Sequence, residues 1–482
     1  MGNILPMAAI TEETLAMAKA AFGAGGTPNG PGLMKAGINI AEGLIGINLE
    51  APSKKLFPVY SPLRNKFART KSSVGASAVQ WKQIDEINSA NLWPGVAENT
   101  RNSANTTKTS SKSASFVTLG HDDYVGFEAL ARSKSFEDVR ATAALNLLYS
   151  CMISEEKVLL GGNVTDIGQP ATISTPVQGA SQTGSLASGS SYIIAISALV
   201  LRGHDKNSQG ASADGETSAI SASTTLALSK GSLSLTWAAV AGAVAYNVFI
   251  DDGAAGPLTW HSKVFVNAAT VTSLGTGGAP NTDDQTGSAL EYDGLIASIE
   301  RASGTTLWTS LDNAKLTSDN AGGINEIDTV LKAMWDTYRL GPNEILVNSQ
   351  QAQDITKLIG GSGNLAYRVT LQDGQRNVVG GIYVGSYLNK FASSFAEGIP
   401  NEVVIRIHPN LPPSTILFPV YELPYPNNQV PNVWEVENLQ DYTQYEWALS
   451  QRKYEFGIYW QSVLKSYFPK AQAALVCVQS GV

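Results

Sequence analysis

The chain runs to 482 residues, of which 43% are hydrophobic and only 15% charged, with a net charge of −8 at pH 7. That length holds more than one domain of ordinary size, and that apolar fraction can build cores. The acid excess excludes a general nucleic-acid coat, because phosphate binding rests on Lys and Arg, although a local basic patch is still allowed. Cys151 and Cys477 stand far apart in apolar contexts, so two buried free thiols are expected and a disulfide framework is not. The opening MGNILPMAAITEE has no basic stretch, and Pro6 breaks its apolar run, so neither a secretion signal nor a myristoylation signal is expected. No window approaches the ~18 uninterrupted apolar residues of a membrane span.

Residues 11–22 predict a short helix capped by Thr11, followed by a Gly/Pro-rich break. From Leu49 to Lys71 come three prolines and six basic residues, Lys54, Lys55, Arg64, Lys66, Arg69 and Lys71, with no acidic residue after Glu50. The prolines keep this stretch extended and out of a central sheet, as an arm laid on something else. Its basic residues fit a solvated face, or equally a contact with an acidic neighbouring subunit or with nucleic acid. Residues 77–88 alternate Val79 and Trp81 with polar neighbours, and 115–132 form a second extended run. Between them, 89–113 is rich in Ser, Thr and Asn, which predicts a long hairpin with a floppy tip. A lone two-stranded hairpin is marginal in water, so it must lean on another surface.

Residues 134–163 predict the one long helix, about 38 Å for roughly 25 residues. Ser135 is the expected N-cap, Glu137 and Asp138 suit its first turn, and Gly161–Gly162 stop it. Its apolar face is broad; Phe136, Val139, Leu145, Leu148, Met152 and Leu159 are the expected core positions. Glu155 and Glu156 near its end suggest solvated or inter-subunit ion pairs. From 165 to 288 the composition turns to Ser, Thr, Gly and Ala with four basic residues, and short strands alternate with Gly-rich turns. This predicts a self-contained β-sandwich with Trp237 and Tyr246 in its core. From Leu290 to Val482 helices and strands mix; in 321–341 Ile324, Ile327, Leu331 and Trp335 share a stripe that Gly341–Pro342 should end. The fold class is α+β.

No reactive cluster accompanies these elements. The four histidines, His121, His204, His261 and His408, fall in different segments without metal-ligand spacing, and surface or locally bonded roles are expected. No GxxxxGK[ST] or GxSxG occurs, and Gly361-Ser362-Gly363 follows a helix where a dinucleotide site needs a strand. Asn105 and Asn163 satisfy the glycosylation sequon, which carries little without secretion. Neither an enzyme nor a cofactor is expected.

The order of basic arm, strand, Ser/Thr-rich loop, strand, long helix and mixed region resembles the major capsid proteins of tailed bacteriophages with the Hong Kong 97 fold. FPVYSPLRNKFART, SASFVTLGHDDYVGFEALARSKSFEDVRA, EEKVLLGG, LEYDGLIASIE and VLKSYFPKAQAALVCV carry the resemblance. It implies an N-terminal arm (1–76), an E-loop hairpin with adjoining strands (77–132), a spine helix of the peripheral domain (133–164), a mainly axial domain (289–430) and C-terminal strands returning to the peripheral domain (431–482). Residues 165–288 resemble an inserted immunoglobulin or fibronectin-III module, with strand order that differs from either. The implied function is self-assembly, as hexamers and pentamers, into the icosahedral shell of a virion around double-stranded DNA, formed in the host cytoplasm. A separate scaffolding protein, a portal and decoration proteins are the implied partners, with no membrane. Rival readings are an encapsulin-type compartment and, from another class, a secreted adhesin or carbohydrate-binding protein built on the sandwich.

Overall fold

The computed structural model describes residues 56, 60–72, 75–87, 93–134, 137–170, 173, 177–178, 184–187, 191–205, 215–216, 220–225, 231–252, 257–281, 283–302, 307–361, 384–391, 401–425, 428–449 and 451–481. The chain divides into two units, Met1–Phe57 with Arg132–Asp138, and Pro58–Ala131 with Val139–Val482. Among the described residues the second unit carries every sheet. It opens with helix α1 (Pro62–Lys66) and strands β1 (Ala68–Lys71), β2 (Ala78–Ile87), β3 (Thr107–Ser115) and β4 (Val117–Gly126). Helices α2 (Phe127–Ser133) and α3 (Val139–Gly161) follow, then β5 (Val177–Gln178), β6 (Ser191–Leu199), α4 (Leu201–Asp205) and β7 (Ile220–Thr225). Next come β8 (Leu233–Thr236), β9 (Ala245–Asp251), β10 (Thr259–Val264), β11 (Ala268–Val271), α5 (Leu295–Glu300) and β12 (Leu307–Ser310). The last third holds α6 (Asn325–Tyr338), β13 (Glu344–Val347), α7 (Ser349–Gly361), β14 (Ser386–Leu388), β15 (Glu402–Ile407), β16 (Ile416–Phe418), β17 (Trp434–Glu446), β18 (Lys453–Ser466) and β19 (Ala473–Val476).

Three sheet systems share the apolar interior. A six-stranded mixed sheet in the order β12-β19-β16-β13-β15-β14 is the largest, and its central strands β13, β16 and β19 are buried along their length, as expected of strands covered on both faces. A four-stranded sheet, β1-β17-β18-β4, supports α3. Two antiparallel sheets, β10-β9-β6-β7 and β11-β8-β5, share one apolar cluster in which Trp237 meets Tyr246 edge-on at 5.3 Å. That cluster is not closed on itself, because Val476 and Cys477 from the C-terminal end belong to it. Its chain leaves and returns at one place: the Asn163 amide donates to Thr286 O (2.8 Å), the Ile167 N–H to Thr286 Oγ1 (3.0 Å) and the Gly287 N–H to Asp166 Oδ1 (3.0 Å). Buried and bonded in this way, Asn163 cannot serve as a glycan acceptor.

Several elements differ from their sequence prediction. Helix α3 begins at Val139, after Glu137 and Asp138, which were expected inside its first turn. Its buried stripe is Leu147, Cys151, Glu155 and Leu159, each one turn apart. Leu145, an expected core position, is 41% exposed, because two residues turn the helix roughly 200° away from Leu147. Val139 and Leu148 pack at the rim of a cluster formed with Val125, Phe456, Ile458 and Trp460, Met152 is half-buried, and Leu159 is fully buried. In α6 the buried stripe is Ile327, Val330, Leu331 and Met334, with Trp335 only half-buried. That helix ends at Tyr338, ahead of Gly341, because Arg339 takes up the left-handed conformation (φ 54°).

The hairpin also pairs differently. β2 pairs with β3 from Ala78↔Ser115 to Ile87↔Thr107, so the end of the Ser/Thr-rich stretch read as a tip, from Thr107 onward, is itself a strand. The second predicted strand, β4, joins another sheet beside β18.

Candidate functional site

The most densely bonded polar assembly among the described residues is built on a pair of adjacent carboxylates. Glu155 and Glu156, expected at the surface or between subunits, are both fully buried in the last turns of α3. A buried carboxylate persists only with donors around it, and the donors here come from residues 60–72. At Glu156, Oε1 accepts from the Leu63 N–H (3.0 Å) and Oε2 from the Arg64 N–H (2.7 Å). These are first-turn amides of α1, a helix that starts on Pro62 and whose cap residue Ser61 makes no side-chain cap bond. A carboxylate 92 residues away therefore does the work of a capping side chain. His408, equally buried, completes the set through Nε2, 2.8 Å from Glu156 Oε1. Because His408 Nδ1 accepts from the Asn410 N–H (3.3 Å), the ring proton sits on Nε2 and is donated to the carboxylate.

Glu155 Oε2 gathers Arg64 Nε (2.8 Å), Arg69 Nη2 (2.6 Å) and the Tyr442 hydroxyl (2.5 Å). Burial, followed by the charge of Glu155, pushes the Tyr442 phenol upward and keeps it a donor. A third carboxylate, Glu344 at the start of β13, accepts from Tyr421 (2.5 Å) and meets Arg406 Nε (2.9 Å) and the Lys66 ammonium. Lys66 also lies over the Tyr421 ring at 4.9 Å. Between these ionic points Phe67 stacks on Trp434 (5.8 Å, 17°), Leu63 is fully buried, and β1 runs parallel to β17. Residues 60–72 are thus a strap fixed to the body of the same chain.

This corrects the reading of the basic arm for three of its members. Arg64 and Arg69 neutralise Glu155 and Lys66 contacts Glu344, all within one chain. Lys71 is exposed at the end of β1, while Lys54, Lys55 and Phe136 lie outside the described residues. His408 is likewise neither superficial nor locally bonded, and His121 reaches Ser154 on α3 (2.8 Å). Sequence reasoning missed Glu155, Glu156, Glu344, His408 and Tyr442 as one assembly. The usable signal was a balance of charge, six bases without an acid in 51–71 against two adjacent acids on an otherwise apolar helix face.

The hairpin β2–β3 is the opposite case. Among the described residues its apolar packing on the body is at its base, where Val79 and Ala114 pack on the main cluster and Trp81 meets Tyr467 edge-on at 5.9 Å. Further out, Ile84 is 64% exposed and Trp93 86%, with Ile87 and Val96 also exposed. Among the described residues no group of three His, Cys, Asp or Glu side chains could hold a metal, and no helix is long and apolar enough to cross a membrane. Burial pushes the Cys151 thiol up to about 11, which leaves it a packing residue at neutral pH.

No protein-family model and no curated protein matches the chain. Solved structures similar to it include a cyanophage A-1(L) capsid asymmetric unit, at 9% identity and TM-score 0.45, covering 92% of this chain and 99% of that one. The capsid of an empty GTA particle is similar at 8% identity and TM-score 0.43, covering 91% and 97%. A holo encapsulin complex from Synechococcus elongatus is similar at 9% identity and TM-score 0.40, covering 92% and 95%. Identities this low say nothing of what the chain does.

Proposed function

We propose that the chain is a major capsid protein, a subunit that assembles with copies of itself into a closed shell. The observation that carries this is the hairpin β2–β3, nine register pairs long, which exposes Ile84, Ile87, Trp93 and Val96 and packs only its base on its own body. A two-stranded ribbon with that apolar surface needs a partner, and an identical subunit supplies one at every position of a shell. On this reading the organisation is of the Hong Kong 97 type. The strap belongs to the N-terminal arm, β2–β3 to the E-loop, α3 is the spine helix, and residues 165–288 are an inserted immunoglobulin- or fibronectin-III-like module. The contents would be double-stranded DNA held without sequence preference, the compartment a virion, and the assembly partners a scaffolding protein, a portal and decoration proteins.

Electron microscopy of purified protein, alone and co-expressed with its neighbouring genes, tests this. Closed particles are expected, with nuclease-protected DNA in those made in the infected host. Monomers under every condition would overturn the shell reading, and particles filled with a protein cargo would replace the capsid by an encapsulin-type compartment.

A further inference from the structure

The pair of sheets between Val177 and Val271 trades core residues with the rest of the chain in both directions. Leu201 at the start of α4 and Val244 ahead of β9 belong to the main cluster, and Leu201 occupies the space that a side chain at Gly161 of α3 would need. In return Val476 and Cys477, at the end of β19, complete the cluster of Trp237 and Tyr246, and Trp308 on β12 packs against both clusters. A regular strand sends successive side chains to opposite faces, so two neighbours enter one cluster only where the backbone breaks step. It does so at Cys477, whose φ of 56° is a conformation that residues with a Cβ avoid. Bonds on both sides hold this position. Val476 O and Cys477 O accept from the Leu311 and Asn313 N–H groups (3.0 and 3.1 Å), and the Val478 N–H donates to Ser414 O (3.2 Å). The Cys477 thiol hydrogen-bonds with the Tyr246 hydroxyl and the Asn267 backbone. The Asn267 amide in turn donates to Trp237 O (2.8 Å) and to Asp312 Oδ1 (2.9 Å), which ties the two sheets to the turn after β12.

We propose that Val476 and Cys477 are a latch that closes the core of the two smaller sheets from outside, so that these sheets and the six-stranded sheet open only together. The shared burial separates this from a tethered module. A module hung on linkers keeps its own core and opens or swings alone. Here opening the smaller sheets uncovers Val476, Cys477 and Trp308, and detaching the end of β19 uncovers Trp237 and Tyr246. The places where the chain crosses between the two parts add polar ties. Arg202 donates to Glu291 Oε1 and Gln285 O (both 2.8 Å), and Arg301 to Asn163 Oδ1, Asp293 and Thr165 O. The smaller sheets are then set at one angle on the body, where their composition predicts a self-contained sandwich. The proposal concerns the folded subunit and stands whether or not that subunit forms shells.

Amide hydrogen exchange of the unassembled full chain, followed by segment across increasing urea, tests the latch. The slowest amides of β6, β8 and β9 are expected to merge with those of β13 and β16 into one opening reaction. Smaller sheets that open at lower urea than the six-stranded sheet overturn the proposal without any variant. Leu235→Ala lies wholly inside the smaller core and is expected to speed exchange in β13 and β16 by the same factor as in β9; acceleration confined to 177–271 sinks the idea. Val476→Ala reads the latch from the other side, because it takes two methyl groups out of a filled site. Exchange in β6, β8 and β9 should rise roughly tenfold. Acceleration restricted to β19 and its neighbours β12 and β16 would show that the smaller core closes without the latch, and the proposal fails.

Discussion

The strap and the hairpin are both extended, both poor in core residues of their own, and both leave the body within the first quarter of the chain. They end up in opposite states. Residues 60–72 find three buried carboxylates, Glu155, Glu156 and Glu344, and an aromatic stack on Trp434, and so are fixed within the subunit. Residues 78–115 find one edge-on ring and the packing of Val79 and Ala114, after which Ile84, Ile87 and Trp93 face solvent. Buried acids, more than chain extension, decide which arm is held on its own chain and which keeps its apolar side chains exposed. A basic segment is drawn to an unpaired buried carboxylate because either alone is costly, whereas a Ser/Thr-rich hairpin whose seven charges nearly cancel has no such claim on its own body.

The strongest way to break this contrast is to remove the acid that caps α1. Glu156→Leu leaves the Leu63 and Arg64 N–H groups and the Nε2–H of His408 buried without an acceptor. The expected loss is about 3–5 kcal/mol, a large part of the roughly 5–15 kcal/mol that ordinary domains possess. Urea unfolding of the unassembled subunit measures it, and protease sensitivity in 60–72 should rise in parallel. A midpoint equal to that of the parent chain would mean that the strap is held by Phe67 and Leu63 alone.

A smaller effect separates the two sides of α3. Leu147→Ala opens a cavity against Phe456 and Trp460 and should cost about 2–5 kcal/mol, while Leu145→Ala on the exposed side should stay within about 0.5 kcal/mol. Equal losses at the two positions, read from thermal or urea midpoints, would mean that Leu145 is covered in the folded subunit.

These positions also mark how far the sequence could be read. The existence of α3 was legible from its apolar periodicity and the Gly161–Gly162 stop, and the strands around Trp237 and Tyr246 from period-two alternation. Leu145 could not be sorted from Leu147, because a helix apolar over a wide arc does not say which part of the arc meets a sheet. Strand β3 was illegible for a different reason. TKTSSKS has no apolar alternation, and its strand conformation comes from pairing with β2. The carboxylate assembly was the least legible part, since Glu156 meets Arg64 across 92 residues and His408 across 252, distances at which local pattern carries no information. What the sequence did contain was the imbalance of charge on each side.

The smallest effect on the subunit should come from the hairpin, and there the contrast is sharpest. Ile84→Ser combined with Trp93→Ser removes apolar surface that already faces water, so the unfolding midpoint of the isolated subunit should move by no more than about 0.5 kcal/mol. Assembly should respond in the other direction. A buried Ile or aromatic side chain contributes about 1.5–3 kcal/mol to a contact, and in a shell that loss is repeated at every subunit boundary. The double variant is therefore expected to remain folded while sedimentation shows no particles at concentrations where the parent chain forms them. Particles in normal yield would make the exposed residues a feature of the surface, and the neighbour would have to be held by some other face. A destabilised subunit would mean instead that the hairpin folds back on its own body in solution, which would erase the difference between it and the strap.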